Sequence, residues 1–150
     1  MAIDLKLGNH IIRMISIYMP HAGYDQSHGF GYFESIIDQL HGLLHEAKRL
    51  HYRIVIGGDF NLVVANNRRA DLLLDLVHAF DLVIGDDPQL HIDDSSWTHS
   101  HPIYGRRQID FILFPRNFIV DECHASEILD LGSDHRAVRA QLHLPKRRNK

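Results

Sequence analysis

Between Ile3 and Leu144 the apolar residues switch repeatedly between a spacing of two and a helical spacing. That switching restricts the chain to a layered arrangement of strands and helices. Ile3 to Leu7, the turn Gly8-Asn9, and Ile11 to Met19 read as two strands joined tightly. The second is apolar on both faces, which predicts a central, covered strand. Phe33 to Leu50 places Phe33, Ile36, Ile37, Leu40, Leu43, Leu44, Ala47 and Leu50 on one helical face, with Glu34, Asp38, His41, His45 and Lys48 opposite. Arg53 to Gly57 is a short buried strand, Arg69 to Phe80 a second helix, and Leu82 to Gly85 a strand followed by an acidic loop over Asp86 to Asp94. Further strands are expected around Trp97, over Arg107 to Phe114, and over Arg136 to Leu144, where Val138, Ala140, Leu142 and Leu144 alternate with polar residues.

With 150 residues the chain is sized for one domain, and 45% apolar against 23% charged residues exclude disorder or coiled coil as a description of the whole. A formal charge of -3 supplies no general cation field for nucleic acid, so any grip on phosphate must come from local clusters or a metal. The single cysteine, Cys123, excludes an internal disulfide framework and suits a reducing, intracellular compartment, the nucleus among them. No apolar run has the ~18 residues of a membrane helix, and Asp4, Lys6 and Arg13 interrupt the start, against a signal or transit peptide. No membrane partner is expected.

Three polar clusters stand at strand ends, where a sheet can hold side chains rigidly. Gly57-Gly58-Asp59-Phe60-Asn61 displays a carboxylate and an amide just past a buried strand. In Arg107-Gln108-Ile109-Asp110-Phe111, Asp110 interrupts an apolar strand and needs a partner there, with Arg106 and Arg107 as candidates. Gly132-Ser133-Asp134-His135 precedes the last strand. Together they offer ligands for a hard divalent cation and a group able to hydrogen-bond a phosphate. Each alone reads equally well as a turn or a strand exit; their joint occurrence changes the balance. A Ser133-His135-Asp110 hydrolase triad has little support, because the serine must be presented to the histidine.

Thirteen histidines are an excess for this length. His41 and His45 have the spacing of a two-ligand zinc face, but they share a charged helical side with no third ligand, so a solvated face is the better reading. His99 and His101 read as part of a loop after Trp97, close enough to line a groove. The basic segment 145–150 reads as a solvated tail.

Tyr18-Met19-Pro20-His21-Ala22-Gly23, Gly57 to Asn61, Trp97-Thr98, Arg107 to Ile112 and Ser133-Asp134-His135 together resemble the endonuclease/exonuclease/phosphatase superfamily, whose fold is that of pancreatic deoxyribonuclease I. The Tyr18 and Arg107 stretches are most similar to endonuclease domains of non-long-terminal-repeat retrotransposons. The resemblance implies an α/β (α+β) fold: a two-sheet β-sandwich flanked by helices in four layers, α/β/β/α, over residues 1–144, with 145–150 as a tail. It implies Mg²⁺, with Mn²⁺ as the alternative cofactor, and DNA as substrate. It assigns the attacking water to Asp59 and phosphate contacts to Asn61, Tyr18 and His135. Asp110 would fix the imidazole, Asp134 would sit at the metal, and His21, Trp97 and Arg107 would face the substrate. The family's early asparagine and its principal metal-ligand glutamate have no counterpart here, since Glu34, Glu46, Glu122 and Glu127 fall elsewhere. An N-terminally truncated domain is therefore expected. The alternative function is an inactive remnant that binds nucleic acid or protein, with self-association through an exposed sheet edge.

Overall fold

A computed structural model describes residues 1–23, 31–65, 67–86, 96–126 and 132–145. These residues form nine strands: β1 Ala2–Leu7, β2 His10–Tyr18, β3 Arg53–Asp59, β4 Leu82–Ile84, β5 His99–His101, β6 Gly105–Arg107, β7 Asp110–Pro115, β8 Ile119–Ala125 and β9 Val138–His143. Two long helices join them, α1 Gly31–Arg49 and α2 Arg68–Ala79. The acidic loop and the basic tail expected from the sequence lie, apart from Asp86 and Pro145, outside the described residues.

The main sheet has the order β1-β2-β3-β7-β4. Its β1–β2 hairpin is antiparallel, whereas β2 and β3 are parallel, which requires the long connection that α1 supplies. Strand β7 then runs antiparallel to β3. One face of this sheet presents Ile15, Ile54, Ile56, Phe111 and Leu113 to Phe33, Ile37, Leu40 and Leu44 of α1 and Leu73 and Leu76 of α2, all buried in one core. Asn67 caps α2, its side chain accepting from the Ala70 N–H. Arg13, on the helix-facing side of β2, binds Asp4 at 2.8 Å and Glu46 of α1 at 2.5 Å, so this covered cation is paired.

On the opposite face β7 packs against β9, and the β8–β9 and β5–β6 ribbons provide a second β layer. The chain is therefore a mixed α/β structure of stacked sheets with both described helices on one outer face, in the α/β class expected from the sequence. Over β1 and β2 that second layer is incomplete. Ile3, Leu5, Leu7 and Met14 are exposed there, and a shallow apolar concavity of about 310 Å³ opens between Ile3, Met14, Val55 and Ile112. The expectation that β2 is covered on both faces is thus corrected: on the side away from the helices Ile12 is buried, but Met14 and Tyr18 are exposed. Strand β8 was not anticipated, because its segment Ile-Val-Asp-Glu-Cys-His-Ala is broken by charge. The 107–114 strand is two elements, with Gln108 and Ile109 between them. Burial pushes the Cys123 thiol up to about 11, which makes it a packing group. Among the described residues, no helix is long and apolar enough to cross a membrane.

Candidate active site

Strand register assembles the site. Tyr18 of β2 pairs with Asp59 of β3, and Asp59 pairs with Asp110 of β7, so three residues from distant parts of the sequence form one row across the sheet end. Directly paired residues project from the same face, and here it is the face opposite the helices. The backbone at Gly58 makes the row possible: its φ is +149°, and a Cβ there would lie 2.0 Å from the Ile17 carbonyl oxygen. Only glycine fits that approach.

Beyond β3 the chain turns through Asn61 at φ 49°. Asp59 Oδ1 accepts from the Asn61 N–H at 2.8 Å, and the Asn61 amide donates to Asp59 Oδ2 at 3.0 Å and to the Met19 carbonyl at 2.9 Å. Two hydrogen bonds to the carboxylate and one to the residue just past β2 fix both side chains.

Of the partners weighed from the sequence, Asp110 meets the imidazole that the resemblance implied and neither of the adjacent arginines. His135 Nδ1 lies 3.0 Å from Asp110 Oδ2, forming a carboxylate–imidazole pair between β7 and the segment before β9. Thr98 holds that pair from behind. It is fully buried, and its Oγ1 accepts from the N–H groups of both Ile109 and Asp110 at 3.0 Å. Thr98→Val is expected to destabilise the fold by about 2–4 kcal/mol, since two buried donors lose their acceptor. Thr98→Ser should recover most of that loss in urea unfolding, and equal midpoints for Thr98→Val and wild type would refute it. Ser133 Oγ accepts from the His135 N–H at 3.1 Å, which gives it a turn role and leaves no nucleophile triad.

These groups face a cleft of about 670 Å³ lined by Tyr18, His21, Asp59, Asn61, Arg107 and His135. Asp134 sits on the rim, its carboxylate 3.5 Å from His99. Trp97 is not brought into the cleft. It stacks beside it between Arg136, 3.6 Å from the ring centroid, and Arg106 at 4.7 Å. His99 was expected in a loop, yet it belongs to β5, pairs with Arg107 of β6 and lies ring to ring with His135 at 4.6 Å. Its alternation with Ser100 and His101 was the available signal, too short to distinguish strand from loop.

Burial, reinforced by the neighbouring Asp110 charge, raises the Asp59 carboxyl above its ordinary 3.8, against the opposing effects of the Asn61 N–H and His135. Atoms of Asp59, Asp110 and His135 lie within 4.8 Å of one another, a group that could hold a divalent cation. Two adjacent carboxylates with no arginine or lysine among the described residues bonded to either fit such an ion. Among the described residues no glutamate lines the cleft. Glu46 is bound to Arg13, Glu34 to Arg68 and Glu122 to Arg139.

A family model described as endonuclease-reverse transcriptase matches residues 12–139. No curated protein sequence matches the chain. Among solved structures, a 3′ phosphatase from Neisseria bound to product DNA hairpin aligns with a TM-score of 0.74 at 16% identity, over 95% of this chain and 65% of that one. A 3′-5′ exonuclease from Neisseria meningitidis aligns at 0.72 and 17%, over the same shares. An endonuclease/exonuclease/phosphatase family protein from Leptotrichia buccalis aligns at 0.68 and 15%, over 95% of this chain and 53% of that one. The chain thus spans about two thirds or less of the length of these structures.

Proposed function

The chain belongs to the endonuclease/exonuclease/phosphatase superfamily, and on that premise we propose that it hydrolyses phosphodiester bonds of DNA as a Mg²⁺-dependent, retroelement-derived endonuclease. The observation that carries this reading is the convergence of the Asp110–His135 pair and the Asp59–Asn61 turn on one cleft. Asp59 takes the proton of the attacking water, and Asn61, whose amide donates to Asp59 Oδ2 and to the Met19 carbonyl, holds that carboxylate in place. His135, with Nδ1 bonded to Asp110, presents Nε2 to the scissile phosphate, and the carboxylate fixes the ring's orientation so that Nε2 faces the charge developing there. Tyr18, exposed at the cleft edge, donates to a phosphate oxygen. Asp59 and Asp110, grouped with His135, are the carboxylates that would hold Mg²⁺, which would supply Lewis-acid stabilisation of the charge developing on the phosphate. The Arg136–Trp97–Arg106 stack and Arg107 supply the local positive surface that a net charge of -3 does not.

A plasmid-nicking assay with Mg²⁺ tests the proposal. Activity in the wild type, lost in Asp59→Ala and in His135→Ala, is the expected result, and a silent wild type removes the enzyme reading. Binding of the cation has its own readout. Because the folded-state pKa of Asp59 is raised, its contribution to stability is full below about 3.8 and is lost as pH rises through the folded value. At pH 7 the paired carboxylates therefore oppose folding, and a divalent cation relieves them. Mg²⁺ at tenfold its dissociation constant should raise Tm by about 3–6 °C at pH 7. The gain should fade as acid protonates Asp59, and equal melting in Mg²⁺ and in NaCl of matched ionic strength would contradict it.

A second reading has one observation in its favour. Among the described residues no glutamate lines the cleft, and the open apolar face of β1 and β2 offers Ile3, Leu5 and Met14 to a partner. On that reading the chain is an inactive binding module that self-associates through this face and the β1 edge. Sedimentation should then show dimers or larger species at micromolar protein. Ile3→Lys combined with Met14→Lys should return a monomer, and a monodisperse wild-type monomer would remove the reading.

A further inference from the structure

We propose that His99, Asp134 and His135 form a second cation site, selective for a borderline transition metal such as Zn²⁺. Three observations converge on it. Ligand atoms of the three residues lie within 4.8 Å of one another. His99 Nε2 stands 3.5 Å from Asp134 Oδ2, too long for a strong hydrogen bond. Two ligands bound at about 2.0–2.2 Å with a tetrahedral angle lie roughly 3.4 Å apart, so that gap matches one edge of a zinc site. The third observation concerns the second imidazole. His135 Nδ1 is bonded to Asp110, leaving Nε2 as its metal-facing atom in the carboxylate–histidine–metal arrangement that orients ligating imidazoles.

The backbone holds these ligands in place beforehand. The Ser100 N–H donates to the Asp134 carbonyl at 2.9 Å and the Arg136 N–H to the Thr98 carbonyl at 2.6 Å, which ties β5 to the segment carrying Asp134 and His135. Two imidazoles and one carboxylate favour Zn²⁺ or Co²⁺ over Mg²⁺, which prefers oxygen ligands. The two metal groups share His135. On the hydrolytic reading proposed above, a transition metal in the second group occupies the nitrogen that would contact phosphate, and so inhibits cleavage.

Co²⁺ titration of the whole chain in millimolar Mg²⁺, followed by visible d–d absorption, tests the site independently of any activity. One saturable equivalent is expected, displaced by Zn²⁺. His99→Ala and the exposed-rim variant Asp134→Asn should each weaken binding at least tenfold, and His41→Ala with His45→Ala should leave it unchanged. No saturable band in the wild type overturns the proposal. So does a band that survives both ligand variants, disappears in the His41/His45 double variant, or is displaced by Mg²⁺ as readily as by Zn²⁺. If the wild type nicks DNA, the zinc concentration giving half inhibition should rise at least tenfold in Asp134→Asn relative to that variant's own zinc-free rate. An unchanged value with the band lost overturns the inhibitory role alone, while a silent wild type with the band intact refutes hydrolysis and leaves the metal site standing.

Discussion

Asp110→Asn is expected to lower Mg²⁺-dependent nicking by roughly 10²–10⁴-fold while leaving the fold intact. The residue touches the imidazole at 3.0 Å and has its own N–H held by Thr98, so an isosteric amide keeps the packing. What changes is charge. An amide does not stabilise an imidazolium, and its NH₂ turned toward Nδ1 selects the opposite tautomer, taking the proton to Nε2 and the cleft. The loss should appear in kcat more than in KM, because the cation is needed where charge develops on the phosphate. Activity within threefold of wild type would show that Asp110 only fills space.

Gly58→Ala should have the largest effect on stability. Its Cβ would fall 2.0 Å from the Ile17 carbonyl oxygen and 2.9 Å from the carbonyl carbon, both backbone atoms of a strand paired on either side. Neither side can yield without parting β2 from β3, and the φ of +149° adds strain for any residue with a side chain. A loss above about 3 kcal/mol is expected, enough to unfold a marginal domain. The adjacent Gly57→Ala is the control. Its Cβ would meet Ile112 Cγ1 at 3.8 Å, an ordinary contact on the open face, and should change stability by less than about 1 kcal/mol. Comparable urea midpoints for the two variants would mean that the β2–β3 approach is softer than its geometry indicates.

Both variants act on a site whose parts were visible in the sequence while their relations were not. Asp59 and Asn61 sit two residues apart, so a local turn brings them together and the motif could be read directly. Asp110 and His135 are 25 residues apart, and nothing local decides whether Asp110 bonds an arginine beside it or a histidine far along the chain. The arginines were the local choice. The fold instead sends Arg106 to the Trp97 ring and Arg107 over Tyr104, away from the carboxylate. Trp97 likewise bears a motif residue's identity without a place in the cleft, because two guanidinium groups flank its ring.

The helices and most strands were determined by the sequence alone, since hydrophobic periodicity is a local property and burial of one face follows from it. Phe33 to Leu44 and Leu73 to Leu76 bury the stripe that their spacing draws. Strand burial was less legible. Met14 looks like core in the sequence, yet it is exposed, because coverage of a sheet face depends on which other segments pack there. Strand register was beyond reach for the same reason. Pairing Tyr18 with Asp59 and Asp59 with Asp110 requires contacts across 41 and 51 positions, and only closure of the sheet selects them. The same closure places His99 against His135, although each lies in a segment too short to announce its own structure. Sequence supplied the reactive groups and the elements that carry them. Tertiary pairing decided which groups share a cleft, because proximity between distant residues is set by long-range packing that no local pattern encodes.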